Sequence, residues 1–229
     1  MPNRLIAIGD IHGYSTALAA LLEAIDPRPE DVIVTLGDYC DRGPDTKTTI
    51  GILIELASRC RLVPLLGNHD EMLLEIVAGA RFLMADWLSF GGNRTLWSYG
   101  CTSPEQLPAE HIDFLRGCQA SYETDSHFFV HASYLERVPL AEQPPEVLRW
   151  ESLRDRMPGR HYSGKTAVVG HTAQHSGEIL DVGYLKCIDT YCYGGRWLTA
   201  LEVHSGELWQ ADAYGRSRGE ARRAAEGAD

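Results

Sequence analysis

The chain has 229 residues, 44% of them hydrophobic and 23% charged, which is enough apolar material for one large domain or two small ones. A formal net charge of -11 and a pI near 5.2 argue against nucleic acid as a partner. No apolar run approaches the ~20 residues that span a bilayer, no signal-peptide pattern opens the chain, and its six cysteines form no C-x-x-C pair, so the expectation is a cytoplasmic protein with reduced thiols and no membrane partner.

In chain order, residues 5–8 form a short apolar run ending in Gly9-Asp10-Ile11-His12-Gly13, a buried strand entering a tight turn. Ser15 is placed to cap the helix that follows, whose stripe is Leu18, Leu21, Leu22 and Ile25. Residues 32–36 predict a second strand, followed by Gly37-Asp38-Tyr39-Cys40-Asp41-Arg42-Gly43-Pro44, with Pro44 suited to the first turn of the next helix. A third run, 62–66, contains Pro64, which weakens a regular central strand, and ends in Gly67-Asn68-His69-Asp70. Alternation of strand, turn and helix predicts parallel strands with crossover helices.

Residues 70–120 change character and predict a helical insert on one domain: 72–77, 81–88 and 108–118 read as helix, and Gly91-Gly92-Asn93 as a helix break. Strands return at 128–130, ending at His131; at 167–169, ending in Gly170-His171-Thr172; and at 184–188, ending at Asp189. Residues 198–203 and 207–210 predict a closing hairpin with Ser205-Gly206 in its turn. Tyr191 and Tyr193 read as packing aromatics. The expected domain covers 1–215, and the charged, alanine-rich stretch 216–229 reads as a loose tail.

Five polar clusters therefore sit just past apolar runs: Asp10/His12, Asp38/Asp41/Arg42, Asn68/His69/Asp70, His131 and His171. In an α/β sheet the carboxyl ends of parallel strands line one crevice, so the clusters converge if the runs share a sheet. Asp, His and Asn without cysteine suit Mn, Fe or Zn, and the arginine beside the carboxylates suits an oxyanion.

The ordered blocks G-D-I-H-G, G-D-x-x-D-R-G, G-N-H-D, H-A and G-H-T resemble the PPP family of metal-dependent phosphatases, within the calcineurin-like metallophosphoesterases. The nearest resemblance is to compact bacterial, phage and Rhizobiales-like members. It implies a β-sandwich flanked by helices, where the residues alone predict only a partly parallel α/β sheet. It also implies two divalent metal ions, with Mn the first choice in vitro and Fe or Zn as alternatives. Asp10 and His12 would hold the first ion, Asp38 would bridge, and Asn68, His131 and His171 would complete the second. A hydroxide shared by the metals would attack phosphorus in line, Arg42 would clamp the phosphoryl group, and His69, steadied by Asp41, would protonate the leaving oxygen. Relatives usually carry a second phosphate-binding arginine two residues after a tryptophan. Here Trp150-Glu151-Ser152 puts serine there, leaving Arg149 or Arg154 as the substitute, with strand alternation from Ser152 favouring Arg154.

The function this implies first is hydrolysis of phosphoserine or phosphothreonine, with phosphotyrosine as an extension, on a phosphoprotein or phosphopeptide partner. The alternative is symmetric dinucleoside tetraphosphate hydrolysis, which shares the same blocks. A third reading is a catalytically silent, metal-stabilised binding module.

Overall fold

Residues 5–8 are Leu-Ile-Ala-Ile, apolar at every position, so a strand there must be covered on both faces. The computed structural model, which describes residues 4–218, covers it in that way. The strands are β1 (Leu5–Ile8), β2 (Val32–Thr35), β3 (Arg61–Pro64), β4 (Ser121–Glu123), β5 (His127–Val130), β6 (Thr166–Val169), β7 (Leu180–Asp181), β8 (Leu185–Cys187), β9 (Leu198–Glu202) and β10 (Leu208–Ala211). They form two five-stranded sheets, ordered β10-β9-β1-β2-β3 and β4-β5-β6-β8-β7.

Each sheet combines three parallel strands with two that pair antiparallel. In the first, β1–β2–β3 run parallel, with Ala7 opposite Val34 and Val34 opposite Val63; β9 joins β1 antiparallel and β10 follows it. In the second, β5–β6–β8 are parallel, with β4 and β7 antiparallel at the edges. Alternation along the strands sorts the side chains into three layers. Leu5, Ala7, Val34 and Val63 meet Phe129, Val168 and Ile188 between the sheets. Ile6, Ile8 and Ile33 point outward onto helices, and Phe128, Val130, Ala167 and Val169 pack under Tyr134, Leu148 and Leu153. The sandwich implied by the resemblance is thus present, and β4 and β7 are strands that periodicity does not predict.

The helices are α1 (Ser15–Ile25), α2 (Thr46–Leu56), α3 (Asn68–Val77), α4 (Met84–Trp87), α5 (Asn93–Tyr99), α6 (Ala109–Arg116) and α7 (Pro145–Arg149). Leu18, Leu21, Ile25, Ile50 and Leu53 lay α1 and α2 on the first sheet. The run from α3 to α6 is the predicted insert. Its glycine break is a kink within Leu88–Gly92, where Gly91 leaves helical geometry at φ 107°. Ser15 does not cap α1: it lies inside the helix, and its hydroxyl donates to Asp45. Pro44 does not enter α2 either, because Asp45 is the cap, accepting from the Thr48 amide at 3.0 Å. Pro64 is accommodated because β3 is an edge strand. All six cysteines are free thiols. Among the described residues no helix is long and apolar enough to cross a membrane. Most of the predicted loose tail, residues 219–229, lies outside the described residues.

Candidate metal centre

Every strand of the two parallel centres ends at a polar residue of one crevice. Asp10 and His12 follow β1, Asp38 follows β2, Asn68 follows β3, His131 follows β5 and His171 follows β6. The turns are tight and strained. Of the seven non-glycine residues with positive φ among the described residues, His12, Asp38, Asp41, Arg42 and His171 belong to this crevice, the others being Asp26 and Tyr191. Each such conformation costs about 1–3 kcal/mol, so the fold concentrates its backbone strain where side chains must be aimed. Gly67 permits a close approach: a Cβ there would lie 2.2 Å from Asp38 Oδ1.

The three ligand histidines named by the resemblance are oriented in one manner. His12 Nδ1 donates to the Cys40 carbonyl at 2.9 Å, His131 Nδ1 to that of Leu36 at 2.7 Å, and His171 Nε2 to that of Trp150 at 3.2 Å. A carbonyl can only accept, so in each ring the other nitrogen carries a lone pair. Those lone pairs point at more acceptors. His12 Nε2 lies 3.3 Å from Asp38 Oδ2, and His131 Nε2 lies 3.5 Å from Asp38 Oδ1. Asn68 Oδ1 is 3.0 Å from both His131 Nε2 and His171 Nδ1. Asp38, Asp10 and His131 are all buried.

Burial holds all three imidazoles neutral. It pushes His12 well below its ordinary value and lowers His131, and it brings His171 down to about 4, with His131 adding to the effect. Burial also raises Asp10 far above the carboxylate range, reinforced by the charges of Asp189 and Asp38. Lone pairs and carboxylates packed this closely repel unless cations sit among them, and neutral imidazoles held by carbonyls are the usual form of metal ligands. The His12/Asp38 and Asp38/His131/His171 groupings therefore fit divalent ions, with one Asp38 oxygen turned to each.

Beside this centre lies a second constellation. His69 Nδ1 donates to Asp41 Oδ2 at 2.8 Å, and its Nε2 accepts from Arg42 Nη2 at 2.9 Å. Burial alone would depress His69, but the charges of Asp38 and Asp41 and the Asp41 hydrogen bond prevail and raise it. Asp41 is fixed in turn by Thr95, whose hydroxyl donates to Oδ1 at 2.7 Å and accepts from the Asp41 amide at 2.8 Å. Asp70 is a buried scaffold: Oδ1 accepts from the Tyr39 amide at 3.0 Å and Oδ2 from that of Gly67 at 3.2 Å.

Arg149 is clamped by Glu71, its Nη2 donating to Oε1 at 2.5 Å, and its buried Nε has no partner among the described residues. Its charge is a minor contribution to the lowering of His131, after burial. Arg154 is exposed and donates to the Ala173 carbonyl. Residues 150–155 are a helix end and a turn, so the strand alternation that favoured Arg154 does not apply.

Three residues of the crevice stand outside the predicted site set. Tyr193, read first as packing and second as bordering the site, has its ring 5.0 Å from that of His12 and lies 4.1 Å under the Arg42 guanidinium. Asp189 follows β8 as the other ligands follow their strands. One of its oxygens accepts from the Tyr191 amide at 3.0 Å, the other is buried without a partner among the described residues, and burial, reinforced by Asp38, pushes its carboxyl up to about 6. Its place after an apolar run was the available signal. Glu71 carries no sequence signal at all. The other histidines lie off the centre: His111 meets the Tyr99 hydroxyl, His127 that of Ser126 and His161 that of Ser163.

A family model described as calcineurin-like phosphoesterase matches residues 3–200. The chain belongs to that family. Among calcineurin-like phosphoesterases it is 33% identical over 171 residues to a symmetrical bis(5'-nucleosyl)-tetraphosphatase of Janthinobacterium sp. (strain Marseille), covering 69% of this chain and 57% of that one. It is 31% identical over 157 residues to serine/threonine-protein phosphatase 1 of Salmonella typhimurium, covering 65% of this chain and 63% of the other. Matches thus span only about three fifths of these relatives. A cold-active protein-tyrosine phosphatase of Shewanella sp. superposes with a TM-score of 0.68 over 95% of this chain and 80% of its own, at 16% identity, which shows the shared fold. The relatives agree with a PPP-type metallophosphatase.

Proposed function

We propose that this phosphoesterase hydrolyses symmetric dinucleoside tetraphosphates to two nucleoside diphosphates. The observation that carries the chemistry is the convergence of imidazole lone pairs on the two oxygens of Asp38, with the Asp41–His69–Arg42 chain alongside. The substrate choice draws support from the 33% identity to a symmetrical bis(5'-nucleosyl)-tetraphosphatase. This reverses the order predicted from the sequence blocks, which put phosphoproteins first. Phosphoprotein hydrolysis stands as the second reading, favoured by the match to serine/threonine-protein phosphatase 1.

Cations held by Asp10, His12 and Asp38, and by Asp38, Asn68, His131 and His171, would supply Lewis acidity and a nucleophilic water at neutral pH. The remaining steps belong to the chain. Arg42 has only donors, so its contact with His69 Nε2 keeps that nitrogen deprotonated. A bound phosphoryl group offers Arg42 two acceptors and draws its fork away from the imidazole. Freed of Arg42 and steadied by Asp41, His69 takes up a proton and gives it to the bridging oxygen that departs. Tyr193 supports the Arg42 guanidinium from beneath. Arg149, held by Glu71, and Arg154 are both candidates for the second phosphate contact. A silent binding module would rest on Ser152 alone, at the place where relatives carry the second arginine.

Substrate profiling of the Mn-loaded chain tests the reading. The expected result is ADP from diadenosine tetraphosphate at a kcat/KM about tenfold or more above phosphate release from phosphoserine, phosphothreonine and phosphotyrosine peptides. Preferential cleavage of the peptides would establish the second reading instead.

A further inference from the structure

The insert between β3 and β4 exposes large apolar side chains: Phe82, Leu88, Phe90 and Trp97. Only one of these is documented beside the catalytic groups. The Phe90 ring, 48% exposed, stands 6.3 Å from the His69 ring at an interplanar angle of 72°. The turn that carries it is bolted to the phosphate clamp, since the Gly91 carbonyl accepts from the Arg42 amide at 3.4 Å and Thr95 is bonded to Asp41. Four residues past Phe90 comes Arg94, exposed and paired with no carboxylate among the described residues, its guanidinium 5.6 Å from the centroid of the Trp97 ring. Trp97 is 64% exposed. An exposed phenyl ring, a cation without an acidic partner and an exposed indole thus follow one another on a rigid element that starts at the proton donor.

We infer that Phe90, Arg94 and Trp97 form a leaving-group subsite for a nucleoside diphosphate. The inference rests on the proposed role of His69, because the group that receives its proton must depart on that side. In the reaction, water oxygen bonds to the attacked phosphorus and the central P–O–P bridge breaks. The bridging oxygen leaves with the diphosphate and takes the His69 proton. The departing half carries a second phosphate, which suits Arg94, and a planar base, which stacks on an exposed aromatic face. The alkoxide of a phosphoserine peptide has no use for either feature.

Two readouts on the Mn-loaded full chain test this. ADP binding is measured by calorimetry, and kcat/KM is measured on diadenosine tetraphosphate and on p-nitrophenyl phosphate. Phe90→Leu and Phe90→Ala separate ring from bulk, and Arg94→Gln removes the charge. We expect Phe90→Ala and Arg94→Gln each to weaken ADP binding about tenfold and to lower the ratio of the two kcat/KM values about tenfold. Phe90→Leu, with no ring to stack, is expected to resemble Phe90→Ala while retaining the wild-type melting temperature. ADP affinity unchanged in all three, or both substrates falling equally, overturns the subsite. If the wild type binds ADP through these residues yet fails to cleave the dinucleotide, the subsite stands and the proposed substrate falls.

Discussion

Asp38 sits in a left-handed backbone conformation at φ 52°, with its oxygens divided between His12 on one side and His131 on the other. Asp38→Asn is therefore expected to remove metal and activity together, lowering turnover at least about 100-fold; metal analysis after gel filtration checks the first half. His69→Asn should keep its metal and lose about 100- to 10,000-fold on an alkyl phosphate, whose leaving oxygen needs a proton. On diadenosine tetraphosphate the same variant should lose less, because a phosphate departs more readily than an alkoxide. Equal losses on both substrates would contradict a general acid at this position. The convergence of the polar clusters was legible because each follows an apolar run that forms a strand, while the roles assigned to them came from the family resemblance. Asp189 and Glu71 were less legible, since an aspartate or a glutamate in a loop serves many ends. The alternation that favoured Arg154 was applied to a stretch whose backbone is a helix end and a turn.

At the scale of elements, the kinked segment Leu88–Gly92 couples the insert to the site. Gly91 has φ 107°, and a Cβ there would lie 2.6 Å from the Arg42 amide nitrogen. Gly91→Ala should displace Arg42 and cut turnover about 10- to 100-fold with metal content unchanged, which parallel kinetics and metal analysis would show. Far from the site, Arg4 ties the start of β1 to the end of α1, donating to the Ile25 carbonyl at 2.9 Å and to Asp31 Oδ1 at 3.1 Å. Burial of Asp31 opposes ionisation, but Arg4 and the Arg28 amide prevail and lower its pKa. A depressed carboxyl contributes stability above its unfolded value of about 3.9 and loses it as pH falls through the folded value. Asp31→Asn should cost about 1–2 kcal/mol at pH 7, and thermal melts should show the gap closing below about pH 3. The principal parallel strands and α1 to α3 were legible from periodicity. β4 and β7 are too short to show a period, and the caps failed because tertiary contacts, Ser15 with Asp45 above all, outweighed local propensity.

On the scale of the whole molecule, two sheets bury a common layer and bring their parallel strand ends to one rim. Apolar runs without alternation announced strands covered on both faces, but no pattern within the chain tells one ten-stranded sheet from two of five. That pairing came from the family resemblance, and the structure agrees with it. The rim brings residues from 10 to 193 together, and the proposed chemistry calls for cations among its clustered lone pairs. The most direct measurement is a titration of chelator-stripped, intact chain with Mn²⁺, following bound metal and turnover of diadenosine tetraphosphate together. The account predicts no turnover without metal, a rise that saturates as two ions bind per chain, and ADP as the product. Full turnover in the stripped protein, or saturation of the metal sites with no cleavage of the dinucleotide, would contradict it.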